Sequence, residues 1–127
     1  MTLAEYNAFC ASLPHTTTVI QWGGAHVWKV GAKVFAIGGW NEGEGLFVTF
    51  KCSPMSFDML KNERGVRPAP YLASRGMIWL QRTSEETLDD AALLDYLRES
   101  YRLASLNLPK VMQKKLGLNQ AQASVDD

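Results

Sequence analysis

Residues 25–51 read AHVWKVGAKVFAIGGWNEGEGLFVTFK, and this stretch decides the fold because it contains three short strands joined by glycine turns. Only Gly31-Ala32 separates the first two strands, residues 26–30 and 33–37. A two-residue hairpin loop of type II′ needs a positive φ at its first position, which glycine adopts without steric cost. This stretch therefore predicts a β-hairpin at its start.

The third strand covers residues 46–51 and follows a glycine-rich loop at residues 38–45. We expect this loop to be mobile, since it is too rich in glycine to be a strand throughout. Alternate side chains of a strand point to opposite faces of its sheet. The three strands thus predict a meander with one face for a core and the other available for binding.

A helix precedes the meander. Thr2 and Glu5 have capping-box spacing, which satisfies two backbone amides at a helix start. Pro14 ends this helix, residues 2–13, because the residue before a proline is pushed out of the α region. Residues 16–22 then form a connection that can be extended.

A second helix follows the meander. Ser53 suits the N-cap and Pro54 the first helical position. The helix should run to about residue 63 or 64 and end at Gly65, which suits a left-handed residue after a helix. We expect four of its side chains to be buried: Met55, Phe57, Met59 and Leu60.

The C-terminal half adds a strand and two helices. Prolines extend residues 66–71, and residues 77–82 form a fourth strand. Thr87 caps a third helix with Asp89 and Asp90 in its first turn, where the helix dipole favours acids. Its apolar stripe comprises Leu93, Leu97, Tyr101, Ala104 and Leu108.

The chain ends with a short helix, residues 110–116, before Gly117. The element order is therefore α-β-β-β-α-β-α-α, which predicts a single α+β domain with an antiparallel β-sheet packed against helices. We expect this domain to cover residues 1–118. The polar residues 119–127 should form a flexible tail.

Composition limits the function classes. The 127 residues include 13 basic and 13 acidic side chains, so the formal net charge is zero. Neutrality argues against a highly basic nucleic-acid clamp. No apolar run approaches the roughly 20 residues of a membrane span, and no signal peptide is evident. We expect a cytoplasmic monomer with no membrane partner.

Catalytic and metal-binding patterns are not evident. Cys10 and Cys52 lack a neighbouring His or Cys at ligand spacing, so both are interpreted as buried free thiols. His15 and His26 lack a paired carboxylate or cysteine, which a general base needs. The glycine loops lack phosphate-cradling spacing. We therefore expect no enzyme, no cofactor and no metal.

Several segments together resemble the MmcQ/YjbR family of small bacterial proteins. They are the hairpin strands at residues 26–30 and 33–36, residues 46–52, the sequence GVRPAPY at residues 65–71, the strand around Trp79, and residues 97–103 with Ser100-Tyr101. The resemblance covers roughly residues 1–116. It implies an α+β fold similar to the frataxin-like or double-wing arrangement. It also implies DNA binding, a label that the family carries mainly through fold similarity.

Charge is unevenly distributed along the chain. Residues 51–82 hold six basic side chains against two acidic ones, and residues 102–115 hold four basic side chains and no acidic one. Between them, residues 85–99 hold six acidic side chains against one arginine. A local phosphate-binding patch would result if the two basic segments shared a face.

Our first functional hypothesis is weak, largely sequence-independent DNA binding without catalysis. Arginines in loops would contact phosphates while aromatic rings stack on bases. The contacts are assigned to six residues: Arg64, Arg67, Arg75, Tyr71, Trp79 and Lys51. The simpler interpretation is that the aromatics pack in the core or at a sheet edge and the arginines are merely solvated.

The alternative hypothesis is a protein- or small-ligand-binding module with no nucleic-acid role. It would use the sheet face and the loop that carries Trp40. Four aromatic residues exceed what a small core needs, and exposed aromatics mark interfaces: Trp22, Trp28, Trp40 and Phe47.

Overall fold

The computed structural model describes residues 1–120 and contains a six-stranded antiparallel sheet with four α-helices. The strands are β1 (Thr16–Gln21), β2 (Ala25–Val30), β3 (Lys33–Gly38), β4 (Val48–Lys51), β5 (Val66–Pro68) and β6 (Trp79–Arg82). The helices are α1 (Leu3–Ser12), α2 (Pro54–Leu60), α3 (Asp90–Ser105) and α4 (Lys110–Leu116). The predicted α+β class and element order are confirmed. Two strands were not predicted: β1 lies in the connection that could be extended, and the short β5 lies in the segment that prolines extend.

The sheet has the strand order β1-β2-β3-β4-β6-β5, with each neighbouring pair antiparallel. The β1–β2 turn and the β3–β4 loop therefore leave the sheet at one end, and the β5–β6 connection leaves it at the other. Within β2–β3, Val30 pairs with Lys33 across the predicted two-residue turn, and Gly31 has a φ of 57°. The hairpin prediction is confirmed.

Helices cover one face of the sheet. The main core joins Tyr6 of α1 and Leu97 of α3 to strand residues such as Phe50 and Leu80, all fully buried. A smaller cluster on the other face joins Ala25, Val27 and Ile37 to Val34, Trp40 and Leu72. None of the residues in this smaller cluster belongs to an α-helix. We call this second side of the sheet the open face.

One row of paired residues crosses all six strands on the open face. Register places these residues side by side in the order Val19, Val27, Ile37, Thr49, Gln81 and Arg67. The row is apolar over β1, β2 and β3 and polar over β4, β6 and β5. Polar groups thus line the half of the open face that contains β4, β5 and β6.

The helix signals near the chain ends are confirmed. The Thr2–Glu5 capping box is present, and α4 ends at Gly117 in a left-handed conformation, as predicted. Asn119 donates hydrogen bonds to Ser105 Oγ and Gln113 Oε1, at 3.1 and 3.0 Å. The remaining part of the expected tail, residues 121–127, lies outside the described residues.

The predicted extent of α2 is wrong. Ser53 and Pro54 begin this helix as predicted, but it ends at Leu60 instead of continuing towards Gly65. Met55 and Met59 are 73% and 64% exposed, because a helix of only seven residues presents one narrow face to the core. Gly65 has the expected positive φ, yet it approaches Ser84: a Cβ there would lie 2.3 Å from Ser84 Oγ.

The predicted start of α3 is also wrong. Asp89, not Thr87, is the N-cap, and its side chain accepts a hydrogen bond of 2.8 Å from the Ala92 amide. The residues before Asp89 form an irregular connection in which Leu88 is buried and its carbonyl accepts a hydrogen bond from Arg82. This tertiary contact overrides the local preference for a cap at the threonine.

Both cysteines are buried free thiols, as predicted. Burial raises the pKa of Cys10 to about 12 and that of Cys52 to about 11. Among residues 1–120, no helix is long and apolar enough to cross a membrane.

Candidate functional site: an aromatic groove

A groove of about 700 Å³ lies on the open face. Its principal side chains are Trp22, Trp40, Glu42, Phe47, Arg67 and Tyr71, and we call it the aromatic groove. Three connections build it: the β1–β2 turn, the β3–β4 loop and the β5–β6 connection, which folds back over the sheet. Leu72 anchors that last connection in the small apolar cluster of the open face.

Three aromatic rings form a row along the groove. The ring centroids of Trp22 and Trp40 are 5.2 Å apart, and those of Trp40 and Tyr71 are 5.7 Å apart. Both distances lie in the range of favourable aromatic pairs. Trp40 is half-buried at the centre, while Trp22 and Tyr71 are 51% and 72% exposed at the two ends. The row therefore presents ring surface to solvent at both ends.

The backbone of both outer aromatics is strained. Trp22 has a φ of 52° and Tyr71 a φ of 69°, a region that bulky L-residues seldom adopt. The left-handed conformation costs about 1–2 kcal/mol per residue, and such strain clusters at functional sites. Of the four non-glycine residues with a positive φ in the described chain, Trp22 and Tyr71 lie in the groove, and His15 and Asn119 lie outside it.

Arg67 lies in the groove and is held on two sides. Its guanidinium carbon is 5.6 Å from the ring centroid of Phe47. Its Nε donates a hydrogen bond of 2.8 Å to Oε1 of Gln81. Among the described residues, no other hydrogen bond of this guanidinium is present, so its two terminal nitrogens are available to a ligand.

Gln81 is fully buried beneath the groove and links its parts. Its Nε2 donates to the Trp40 carbonyl at 3.2 Å and to Thr49 Oγ1 at 3.1 Å. Burying an amide costs free energy unless its donors and its acceptor form hydrogen bonds. In Gln81 both the NH2 group and the oxygen do so. One side chain therefore fixes both the arginine and the loop with the central ring.

The charges of the groove are balanced. Glu42 also lines it, so one carboxylate lies in the same groove as the one arginine. Asn41 braces the loop, since its Oδ1 accepts from the Phe47 amide and its Nδ2 donates to the Gly45 carbonyl. In the described part of the chain, no three His, Cys, Asp or Glu side chains are grouped so that they could hold a metal ion.

The six residues predicted for DNA contacts do not form one patch. Arg67 and Tyr71 lie together in the groove, whereas Arg64 and Arg75 are exposed outside its lining. Trp79 is only 4% exposed, because the β5–β6 connection folds back over the sheet, and its ring is therefore not available for base stacking. Lys51 lies beside it, with Nζ 6.0 Å from the Trp79 ring centroid.

The basic segment at residues 51–82 is also less basic at its surface than its composition suggests. Arg82 is 3% exposed, and its Nη1 lies 3.1 Å from Oδ1 of Asp90. Lys61 pairs with Asp58 one helical turn away, at 3.3 Å. These two cations are thus partly neutralised by their own neighbours.

The aromatic residues of the alternative hypothesis are mostly brought together. Trp22, Trp40 and Phe47 all line the groove, but Trp28 is 7% exposed in the main core. Strand alternation explains the difference, since Val27 faces the open face and its neighbour Trp28 points to the helices. There the indole Nε1 of Trp28 donates to Asn7 Oδ1 at 2.9 Å.

Gln81 and Glu42 were not predicted as residues of the site. The sequence signal for Gln81 was a polar residue inside a strand with apolar neighbours, Trp79 and Leu80. Its partners are remote in sequence, however, so no local pattern predicts them. Glu42 belonged to a loop that was expected to be mobile and was therefore not assigned a role.

The fold and the groove define a class: a small α+β protein with a ligand-sized groove on the face of an antiparallel sheet that carries no α-helix. A family model described as YjbR matches residues 11–103. The chain belongs to the YjbR family, which confirms the resemblance in its sequence. No curated protein matches the chain.

Two solved structures are similar to this fold. The Deinococcus radiodurans protein DR2400, with a DUF419 domain, has a TM-score of 0.79 at 24% identity, over 92% of this chain and 88% of that one. A Pseudomonas syringae protein has a TM-score of 0.66 at 15% identity, over 82% of this chain and 99% of that one. At these identities the likeness shows the fold alone.

Proposed function

We propose that the chain is a small, non-enzymatic, weak and largely sequence-independent DNA-binding protein that uses the aromatic groove. The observation that carries this proposal is Arg67, held between Phe47 and Gln81 in the groove that Trp22 and Tyr71 also line. A cation next to stacking platforms suits a strand with phosphates and exposed bases. The proposal includes a cytoplasmic monomer.

Weak binding follows from the charges. The groove offers one arginine and one opposing carboxylate, and the chain as a whole is neutral. Arg64 and Arg75 are exposed outside the groove and would add phosphate contacts to a strand that extends beyond it. Three such contacts on a single strand correspond to a slope of about −2 in a plot of log affinity against log salt.

Sequence independence follows from the contacts. Stacking accepts any base, and an arginine on a phosphate reads no base edge. The proposal includes no catalytic step.

The test is fluorescence anisotropy of labelled oligonucleotides titrated with the protein at low salt, then at rising salt. R67Q should weaken binding several-fold, since it removes the groove's only cation. R98Q is the matched control: Arg98 is an exposed arginine on α3, which packs against the helix-covered face, and it pairs with Asp95 at 2.8 Å. If no DNA or RNA associates at low salt, the proposal is wrong.

A second candidate is a protein- or small-ligand-binding module with no nucleic-acid role. The groove volume of about 700 Å³ favours it, because small-molecule sites measure roughly 300–1,000 Å³. Glu42 favours it as well, since a carboxylate suits a cationic ligand better than a phosphate. E42Q distinguishes the two: it should strengthen DNA binding but weaken the binding of a cationic ligand.

A further inference from the structure

The free edge of Arg67 determines what kind of anion the groove prefers. A guanidinium is a planar fork of five N–H donors, and here Gln81 occupies only Nε. The edge formed by the two terminal nitrogens matches two oxygens of one phosphate or carboxylate. Because Phe47 and Gln81 already hold the group, little side-chain freedom is lost when an anion binds.

The two exposed rings determine what else the ligand needs. Trp22 and Tyr71 end the ring row and are 51% and 72% exposed, while Trp40 between them is half-buried. Each outer ring packs beside Trp40, with centroid distances of 5.2 Å for Trp22 and 5.7 Å for Tyr71. A planar aromatic group can therefore stack on a preorganised platform in the same groove as the arginine.

A base that is paired inside a duplex cannot stack on these rings. Bases inside a duplex are stacked on one another, and their faces become reachable only when they are unpaired. The chain is neutral overall, and within the basic stretch at residues 51–82 Arg82 is buried and Lys61 pairs with Asp58, so the attraction to a duplex backbone alone is weak.

We infer that the aromatic groove recognises one unpaired nucleotide unit, with its base stacked on Tyr71 or Trp22 and its phosphate held end-on by Arg67. This inference rests on the proposed function and narrows it. The unit can be a nucleotide within a single strand or a free nucleotide, since both carry the same base and phosphate chemistry.

The probes are a 12-nucleotide single strand, the corresponding duplex, adenosine monophosphate, adenosine and ribose 5-phosphate, each measured by calorimetry or tryptophan fluorescence. We expect the single strand to bind about tenfold or more tightly than the duplex. We also expect the monophosphate to bind about tenfold more tightly than adenosine or ribose 5-phosphate, because each of these lacks one half of the unit.

Variants of the protein test which residue binds the phosphate and which binds the base. R67Q should abolish the advantage of the monophosphate over adenosine. Either Y71G or W22G, according to which ring carries the base, should abolish its advantage over ribose 5-phosphate, and an unchanged ratio in both variants overturns the inference. R98Q should leave both ratios unchanged, and circular dichroism checks that each variant is folded. An unchanged ratio in R67Q, in a folded protein, overturns the inference.

The outcomes separate the inference from the proposed function. If single strand and duplex bind equally, DNA binding stands and the inference is overturned. If the monophosphate binds as expected but no oligonucleotide does, the inference stands for a free nucleotide and DNA binding is overturned. If none of the five probes binds, both are overturned.

Discussion

Arg67 and Gln81 are paired across β5 and β6, and Nε of the arginine donates a 2.8 Å hydrogen bond to Oε1 of the glutamine. Gln81 is fully buried, and the other end of its amide holds the carbonyl of Trp40. A single buried amide thus connects the groove's cation with the loop that carries its central ring.

Replacing Gln81 should therefore disturb stability and binding together. Q81M keeps the approximate size of the side chain but leaves the Thr49 hydroxyl, the Trp40 carbonyl and the Arg67 Nε without this partner. We expect the free energy of unfolding to fall by about 1–3 kcal/mol, measured by urea denaturation. In a double-mutant cycle with R67M, the two losses should be less than additive, because both variants remove the same hydrogen bond. Fully additive losses would show that the pair is not coupled.

Local signals account for most of the fold that the sequence predicts. Ser53-Pro54, the Thr2–Glu5 box and Gly117 act within one helical turn, and all three were predicted correctly. The end of α2 and the start of α3 were not, because contacts outside each helix act there: Gly65 packs against Ser84, and Arg82 donates hydrogen bonds to Leu88 and Asp90. The strand pairing of β5 likewise depends on β6, which lies beyond a ten-residue connection.

The candidate site was only partly predictable for the same reason. Arg67 and Tyr71 belong to a segment whose prolines predicted an extended connection, and both are in the groove. Trp79 was placed at the surface because composition does not reveal that a connection folds back over the open face. The positive φ of Trp22 and Tyr71 has no sequence signal either, since glycine is the residue expected there.

Removing the acidic charge from the groove should change affinity in a direction that depends on the ligand. E42Q eliminates the one carboxylate among the residues that line the groove, so its repulsion of a phosphate is lost and the affinity for a single-stranded oligonucleotide should rise by roughly twofold to fivefold. The gain should shrink at high salt because the interaction is screened. E44Q in the same loop is the matched control. A loss of affinity in E42Q would contradict an anionic ligand.

The strain at Tyr71 predicts an order of stability among its variants. Y71A and Y71G both remove the ring, but alanine retains the penalty of a φ near 69° and glycine does not. We expect Y71G to be more stable than Y71A by about 1 kcal/mol in urea denaturation. Both should lose binding to a similar extent. If Y71A equals or exceeds Y71G in stability, the left-handed conformation is not present in solution.

Ser100 provides a prediction for the fold itself. It is fully buried on α3; its Oγ donates to the Phe35 carbonyl at 2.6 Å and accepts from the Lys51 amide at 2.8 Å. Phe35 is the extra residue at the β2–β3 register shift, so its carbonyl has no partner strand to pair with. S100A leaves the buried Phe35 carbonyl and the partly buried Lys51 amide without this partner and should cost about 1–3 kcal/mol in total. S12A, which removes an exposed hydroxyl bonded to the Phe9 carbonyl, should cost far less. Equal costs would exclude the bridging role of Ser100.

The buried thiols predict that the protein loses stability at alkaline pH. Burial raises the pKa of Cys10 from 9.0 to about 12 in the folded state and that of Cys52 to about 11. Above pH 9 the unfolded chain releases these protons while the folded protein retains them, so the free energy of unfolding falls as pH rises. The contribution is fully present below pH 9 and is lost progressively between pH 9 and 12. For Cys10 the loss at pH 10 should be about 1 kcal/mol.

Urea denaturation at pH 7.5, 9 and 10 measures how the free energy of unfolding changes with pH. In C10A the free energy of unfolding should fall less steeply with pH than in the natural chain, because one of the two thiols is removed. An unchanged slope would contradict the claim that Cys10 loses its proton in the unfolded chain but keeps it in the folded protein.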